Sequence, residues 1–411
     1  MEFERALERY AEIVVVHGLG VQPGQVVTVA AEVCHRDLVA RIAEASYRRG
    51  ARLVDVFYED PRLSRIRVLR SRDEDVEFVP GWMRRRTDDQ VEERGATLRI
   101  IGSEDPDALE GLDPAKLNRA RVARYRATQR FYEEGIGKSL VHWVVAGGAT
   151  AAWGKKLFPG LSGEAACRRL WEEIFRICRA DQEDGLAQWD VHDRELRERA
   201  RRLTDLRIDE LRFRGPGTDL VVGLSPKAKW LGGSDVGPYG ARFEPNVPTE
   251  EVFTTPDWRQ TRGHLRATRP FLVNAQRVEG LNLAFEAGRI TKIEASRGAD
   301  TYRSYVDSDA GARQLGEVAL VGVDSPVYRS GLVFGEILYD ENAACHVAVG
   351  KAYKNGLEGG PDMGEKELAE VGCNDSTTHI DMMISDEETD VVARTRSGNE
   401  VPLLTGGRWV F

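Results

Sequence analysis

The sequence has no long hydrophobic run. None of its stretches approaches the roughly 20 consecutive apolar residues that a membrane-spanning helix requires. Near the N-terminus, the apolar residues 13–16 follow a glutamate-rich segment, whereas a signal peptide begins with basic residues and continues with a longer apolar core. We therefore expect a soluble chain that lies in the cytoplasm and has no membrane partner.

Cysteine is scarce, since the 411 residues include only five, at positions 34, 167, 178, 345 and 373. Their number is odd, their positions are scattered, and no Cys-x-x-Cys pair occurs. Reduced thiols fit this pattern better than a disulfide framework does, because frameworks use an even number of cysteines in a compact spacing. A reducing compartment agrees with the expected cytoplasmic location.

Positive charge is in deficit. The chain has 58 lysine and arginine residues against 67 aspartate and glutamate residues, which gives a net charge of -9. This balance disfavours nucleic acid as a partner, because binding the phosphate backbone requires a concentrated basic surface.

Hydrophobic residues make up 41% of the chain, so a real core is expected, and 411 residues are more than one domain usually contains. We predict two domains.

The first hundred residues alternate strand-like and helix-like patterns. Residues 25–33 are rich in valine and predict a buried strand, residues 38–49 carry apolar side chains at helical spacing, and residues 53–58 predict a second strand. A strand, a helix and a strand in succession are typical of a parallel sheet with a crossover helix. The sequence therefore predicts an α/β N-terminal domain.

The pattern of the sequence changes from helix-like to strand-like after residue 212. Residues 163–212 predict long helix, interrupted around residues 181–185, because apolar side chains recur three and four positions apart. Beyond them, short strands alternate with glycine, proline and asparagine. We predict an N-terminal α/β domain over residues 1–212 and a strand-rich α+β domain over residues 213–411. Strands are predicted at residues 219–224, 271–274, 281–286, 316–323 and 332–338.

Two of the seven histidines, His346 and His379, lie in segments crowded with other potential metal ligands. His379 and Asp381 fall in an alternating, strand-like stretch, so a period of two places both side chains on one face. Glu341 precedes His346 by five residues, and Tyr353 follows that histidine by seven. One further segment contributes Glu317 and another Glu251.

None of these residues is persuasive alone, but together they indicate a metal site. A mixture of imidazoles and carboxylates suits divalent ions such as Zn²⁺, Co²⁺ or Mn²⁺. A three-residue site would not use so many carboxylates, and the surplus suggests two ions that share a bridging ligand.

Five segments carry a resemblance to a known family. In chain order they closely resemble the thermophilic metalloaminopeptidases, and a weaker likeness extends over nearly the whole chain. Five motifs in the same order are a specific signal. The segments are PGTDLVVGL at residues 216–224, NVPTEEVFTTP at 246–256, LGEVALV at 315–321, LYDENAACHVAVGKAY at 338–353 and NDSTTHIDMMIS at 374–385.

The resemblance implies a two-domain aminopeptidase that cleaves N-terminal residues from peptides with a free N-terminus. It also implies a homodimer and a pair of divalent metal ions. Tyr353 resembles the family's catalytic tyrosine, and Glu317 would also serve as the general base. In PTEEVF, only one of Glu250 and Glu251 can face the metals, since neighbouring strand residues point to opposite sides, and the motif favours Glu251. The implied metal ligands are Glu251, Glu317, Glu341, His346, His379 and Asp381.

Two other interpretations remain open. Some hydroxypyridine dioxygenases resemble this family in fold, and His346, His379 and Asp381 alone would suffice to hold a single Fe²⁺ in a ring-cleaving site. The presence of three further glutamates at the matching positions argues against this alternative, because a single-iron site does not need them. A noncatalytic binding protein is the other alternative, although such a protein would have no reason to keep every ligand position.

Overall fold

The computed structural model describes residues 2–274 and 276–411. The chain divides into two compact units. The first runs to Val191 and includes Ser234–Pro248, and the second comprises His192–Gly233 and Thr249–Phe411. No helix in the described ranges has the length and apolar character needed to cross a membrane.

The α-helices within the described residues alternate with strands in the first unit, and apart from the second half of α8 they are short in the second unit. They are α1 (Glu2–Ile13), α2 (Arg36–Arg48), α3 (Pro61–Arg70), α4 (Gly81–Glu92), α5 (Pro114–Ala127), α6 (Ala151–Leu157), α7 (Gly163–Ile177), α8 (Gly185–Asp205), α9 (Ala299–Val306), α10 (Pro326–Arg329), α11 (Ile337–Asp340) and α12 (Glu365–Glu370).

The strands within the described residues are mostly short. They are β1 (Val26–Glu32), β2 (Leu53–Glu59), β3 (Ala96–Ile101), β4 (His142–Gly147), β5 (Ile208–Gly215), β6 (Thr218–Gly223), β7 (Asp235–Val236), β8 (Arg242–Phe243), β9 (Asn246–Val247), β10 (Val252–Thr254), β11 (Arg262–Arg266), β12 (Phe271–Val273), β13 (Gln276–Val278), β14 (Asn282–Glu286), β15 (Arg289–Glu294), β16 (Leu315–Leu320), β17 (His346–Gly350), β18 (His379–Met383), β19 (Asp390–Thr395), β20 (Glu400–Thr405) and β21 (Arg408–Trp409).

The first unit is built on a parallel sheet with the strand order β2-β1-β3-β4-β9. Helix α2 connects β1 to β2 and buries Leu38, Val39, Ile42 and Ala45, which recur at helical spacing. This confirms the predicted strand, helix and strand at the start of the chain. The N-terminal domain is therefore of the α/β class, as expected.

The long helical region is interrupted where the sequence predicted, since α7 ends at Ile177 and α8 begins at Gly185. The predicted helix is too long at its end, because α8 stops at Asp205 and β5 begins at Ile208. Leu211 and Phe213 of β5 are both fully buried, which is the period-two burial of a strand.

The second unit is an α+β arrangement of antiparallel sheets. One sheet has the order β15-β14-β11-β6-β5-β19-β20-β21, and a four-stranded sheet has the order β10-β16-β17-β18. Four of the five strands predicted for this region correspond to β6, β12, β14 and β16.

The strand predicted at residues 332–338 is wrong. Residues 332–336 belong to no strand, and α11 begins at Ile337. The side chain of Asp340 accepts hydrogen bonds from the backbone N–H groups of Phe334 (2.7 Å) and Gly335 (2.8 Å). Those donors are therefore used in a turn and are not available to a neighbouring strand.

The compact units divide the chain inside α8, earlier than the predicted domain boundary between residues 212 and 213. The reason is that Leu196, Ala200 and Leu203 of this helix belong to the hydrophobic core of the second unit, together with Leu211 and Phe213 of β5. The extent of the catalytic domain, residues 213–411, stays a prediction.

Candidate metal centre

Three neighbouring strands place two acidic side chains on one face of the four-stranded sheet. Ala348 in β17 lies directly opposite Glu317 in β16 and directly opposite Asp381 in β18. Opposed residues of antiparallel strands share a face, so both carboxylates flank a residue with only a methyl side chain. The small side chain of Ala348 leaves room between them.

Both candidate histidines lie on the same face. His346 precedes Ala348 by two residues in β17, and His379 precedes Asp381 by two in β18. The Nε2 atom of His379 lies 3.5 Å from Oδ1 of Asp381 and 3.6 Å from Oε2 of Glu317. The prediction that His379 and Asp381 point into a common space is confirmed.

A bulge in β16 directs Glu317 toward the histidines. The register between β16 and β17 shifts between Leu315 and Glu317, which leaves Gly316 as the extra residue. A bulge re-aims the side chain beside it. Only glycine fits here without rearrangement, because a Cβ at position 316 would lie 2.5 Å from the carbonyl oxygen of Lys351 and closer still to that of Gly350.

Glu250 and Glu251 point in different directions just before β10. Oε2 of Glu251 lies 3.0 Å from Nε2 of His346, whereas Oε1 of Glu250 lies 3.6 Å from Nε2 of His192. The backbone N–H of Glu250 also donates a 2.6 Å hydrogen bond to the side chain of Asn342. The geometry supports Glu251 as the residue that faces the centre.

Five of the six predicted ligands come together in two groups that share Glu317. Glu317 and His346 form one group with Glu251, and Glu317 also forms a group with His379 and Asp381. Within each group, one potential ligand atom per residue lies within 4.8 Å of the others. A carboxylate that belongs to both groups would suit a pair of ions with one shared ligand.

Glu341 and Tyr353 adjoin the two groups without belonging to them. Burial, followed by the charges of Glu251 and Asp381, raises the pKa of Glu341 well above its ordinary value. The ring of Tyr353 lies 4.9 Å from that of His379, centroid to centroid. Although 45% of Tyr353 is exposed, desolvation of the hydroxyl and the nearby carboxylates raise its pKa well above the usual value.

The centre crowds carboxylates into a buried space. Burial, together with the charges of Glu251 and Asp381, raises the pKa of Glu317 to about 8. For His379, desolvation acts in the opposite direction, but the Asp381 carboxylate outweighs it and raises the pKa to about 9. The pKa of His346 is also raised, because the carboxylate of Glu251 overcomes its desolvation. Excess negative charge of this kind is stabilised by cations.

The donor set fits divalent metal ions. Oε2 of Glu251 is buried, and apart from Nε2 of His346 at 3.0 Å no group of the described residues is hydrogen-bonded to it, so it is open to an ion. Nδ1 of His379 lies 2.8 Å from the carbonyl oxygen of Lys351, and Nδ1 of His346 lies 3.1 Å from that of Ala344. A carbonyl oxygen can only accept a hydrogen bond, so each Nδ1 carries the proton that it donates. The Nε2 atom of each ring lies beside the carboxylates and keeps a lone pair for an ion, as in other metal sites.

Comparison with known proteins places the chain in one family. The profile of the thermophilic metalloprotease (M29) family matches residues 3–409. The chain is 43% identical over 408 residues to aminopeptidase T from Thermus thermophilus, covering 99% of each protein. It is 36% identical over 409 residues to aminopeptidase AmpS from Bacillus subtilis, covering 100% of this chain and 99% of that protein. The solved structure of wild-type AmpT from Thermus thermophilus has a TM-score of 0.92 to this chain, with 40% identity and 100% of both chains covered. The chain therefore belongs to the thermophilic metalloprotease (M29) family.

Proposed function

We propose that this chain, a metal-dependent aminopeptidase, binds two divalent metal ions between its carboxylates and histidines and removes N-terminal residues from peptides. The observation that carries the proposal is the position of Glu317, which belongs to both groups of potential ligands. The two groups with one shared carboxylate support two ions in preference to one. The proposed ligands are Glu251, Glu317, Glu341, His346, His379 and Asp381.

The chemistry of the donors narrows the choice of metal. Imidazole nitrogens and carboxylate oxygens together favour Zn²⁺, Co²⁺ or Mn²⁺, and no cysteine is among the proposed ligands. When bound, such ions would lower the pKa of water, polarise the scissile carbonyl and hold the free α-amine of the peptide.

Two residues of the chain would act on the substrate directly. Glu317 would accept a proton from the attacking water and pass it to the leaving amine. The hydroxyl of Tyr353 would donate a hydrogen bond to the oxyanion. A tyrosine hydroxyl with its ordinary pKa of about 10 is already protonated at neutral pH, and the raised pKa of Tyr353 leaves it so.

The ring-cleaving dioxygenase is not supported. The relatives compared above are named aminopeptidases. A single-iron site would use His346, His379 and Asp381, whereas here Glu251 lies 3.0 Å from His346 and Glu317 lies 3.6 Å from His379. Those two carboxylates would have no role in a site with two histidines and one carboxylate.

We also propose that the chain lies in the cytoplasm and forms a homodimer. The family resemblance supports a homodimer, and the scattered cysteines support a reducing cytoplasm. Sedimentation of the purified chain would measure its oligomeric state. A monomer at all concentrations tested would contradict the homodimer.

Metal content and substrate selectivity test the function together. The purified chain is expected to contain two divalent ions, and to cleave an unblocked dipeptide but not its N-acetylated counterpart, because an amide nitrogen is a poor metal ligand. A chelator should abolish turnover, and added Zn²⁺, Co²⁺ or Mn²⁺ should restore it. One iron per chain with oxygen consumption on a hydroxylated pyridine would contradict the proposal, as would equal cleavage of the two dipeptides.

A further inference from the structure

The hydroxyl of Tyr305 makes two hydrogen bonds to the backbone of a single residue, His379. It donates to the carbonyl oxygen of His379 at 3.0 Å and accepts from the backbone N–H of the same residue at 3.1 Å. Tyr305 lies near the end of α9, far from His379 in the chain. The contact therefore joins this helix to the strand that carries two of the proposed metal ligands.

The position of β18 explains why this contact matters. It is an edge strand of the four-stranded sheet, so within the described part of the chain β17 alone pairs with it, and His379 lies opposite Gly350 there. The outward backbone groups of an edge strand have no neighbouring strand to bind. The phenol of Tyr305 supplies both a donor and an acceptor, which are the two groups that a neighbouring strand would offer at this residue.

The side chain of His379 is fixed at a third point. Its Nδ1 atom lies 2.8 Å from the carbonyl oxygen of Lys351, which sets the orientation of the ring. The bonds from Tyr305 set the position of the backbone from which this ring projects. A metal site requires its ligands to be held to within about 0.5 Å, so loss of either constraint should affect the ion that His379 binds.

We propose that Tyr305 is a positioning residue that holds His379 for the ion bound by Glu317, His379 and Asp381. The inference rests on the proposed two-metal function and identifies one residue outside the ligand set that maintains it. Tyr305 touches neither the substrate nor the ion in this role.

Replacing Tyr305 with phenylalanine tests the inference, since the change removes only the hydroxyl. Metal-free chain is titrated with Co²⁺, and binding is followed by calorimetry and by the visible absorption of the ion. We expect Tyr305→Phe to bind one Co²⁺ as the wild type does and the second about 10- to 100-fold more weakly, the usual effect of removing a group that orients a ligand. The absorption bands of the weaker site should also change.

Tyr302 provides a matched control on the same helix. Its buried hydroxyl lies 3.1 Å from the sulfur of Met382 in the same strand, so Tyr302→Phe also removes a contact between α9 and β18, but not one with a proposed ligand. We expect Tyr302→Phe to bind both ions as the wild type does. Equal weakening in the two variants would overturn the inference, because it would reflect a general loosening of α9.

Other outcomes separate this inference from the proposed function. Wild-type binding of two ions, with unchanged affinity and unchanged absorption in Tyr305→Phe, would overturn the positioning role alone. A wild-type chain that binds only one Co²⁺, or none, would overturn both. Recovery of peptide cleavage by Tyr305→Phe at high Co²⁺ concentration would support the inference, because it would show that occupancy is what the variant lacks.

Discussion

The hydroxyl of Thr255 donates a 2.6 Å hydrogen bond to the backbone carbonyl of Tyr353. Thr255 is almost fully buried and immediately follows β10, the strand that begins after Glu251. The bond therefore connects the segment that carries a proposed ligand to the residue proposed to stabilise the oxyanion.

Removing this bond should lower turnover without removing metal. Thr255→Val keeps the shape of the side chain but loses the hydroxyl, so the backbone of Tyr353 is free to shift. We expect turnover to fall about 10- to 100-fold, since small misplacements of a reacting group are costly. Thr255→Ser keeps the hydroxyl and should retain most of the activity. Metal content and turnover of a dipeptide are the measurements, and equal activity in the two variants would contradict the role of the bond.

Tyr353→Phe should separate chemistry from metal binding. The hydroxyl is assigned to the oxyanion and not to an ion, so metal content should stay at the wild-type value. Turnover should fall about 10²- to 10³-fold, by analogy with other oxyanion donors. Unchanged turnover would remove Tyr353 from the mechanism, and loss of metal would instead make it part of the ligand set.

Glu250 and Glu251 are expected to respond differently to the same substitution. Glu251→Gln should reduce metal content and abolish most activity, because its carboxylate lies 3.0 Å from Nε2 of His346. Glu250→Gln should retain both ions, because its carboxylate is directed to His192. Metal analysis of the two variants in parallel decides between them. Loss of metal in Glu250→Gln alone would place the ligand one residue earlier.

Part of the candidate site was predictable from the sequence because strands have a simple period. The spacing of His379 and Asp381 is enough to place both side chains on one face of β18. The parallel sheet of the first unit was predictable for a similar reason, since its strands and its crossover helix carry clear apolar patterns.

The supporting contacts were not predictable in the same way. The bond from Tyr305 to His379 and the bond from Thr255 to Tyr353 join a side chain to a backbone group in a distant segment. No periodicity marks such pairs, because backbone groups are the same in every residue. For this reason the hydrogen bonds from Phe334 and Gly335 to Asp340 were missed. The apolar residues at 332–338 resembled a strand, and a strand was wrongly predicted there.

The stability of the fold at acidic pH should depend on a buried aspartate outside the metal centre. Asp257 is 2% exposed and accepts hydrogen bonds from Nε of Arg259 (2.8 Å) and from the side chain of Gln260 (2.9 Å). Burial alone would raise the pKa of Asp257, but these bonds outweigh it and lower the pKa below the ordinary value. A lowered pKa stabilises the fold above the unfolded-state value of about 3.9, and this contribution is lost as the pH falls through the lowered pKa.

Asp257→Asn should therefore lower the free energy of unfolding at pH 7 by about 1–3 kcal/mol, the cost of weakening buried hydrogen bonds to a charged group. The difference from the wild type should shrink as the pH falls below the unfolded-state pKa of about 3.9, and it should be smallest below the lowered pKa of the folded state, where the wild-type carboxyl is protonated as well. Urea unfolding at several pH values measures both quantities. A difference that is constant from pH 7 to pH 3 would show that the charge of Asp257 does not stabilise the fold.

The bulge at Gly316 should be needed for the binding of one of the two proposed ions. An alanine there would place its Cβ 2.5 Å from the carbonyl oxygen of Lys351, the oxygen that faces Nδ1 of His379. Either Lys351 must move or the bulge that directs Glu317 must open, and both changes affect the group of Glu317, His379 and Asp381. We expect Gly316→Ala to lose one of the two ions on dialysis and to unfold at a lower temperature, because overpacking costs about 1–3 kcal/mol.

Gly160 offers a control for the substitution itself. It is exposed, and a Cβ at this position would meet no atom within 4 Å, so Gly160→Ala should keep the wild-type metal content and melting temperature. The three proteins are compared by metal analysis after dialysis and by thermal unfolding. A Gly316→Ala chain that retains both ions would show that the bulge does not set the position of Glu317. If Gly316→Ala has a lowered melting temperature but keeps both ions, the close approach of Gly316 to Lys351 stabilises the fold and does not affect the metal centre.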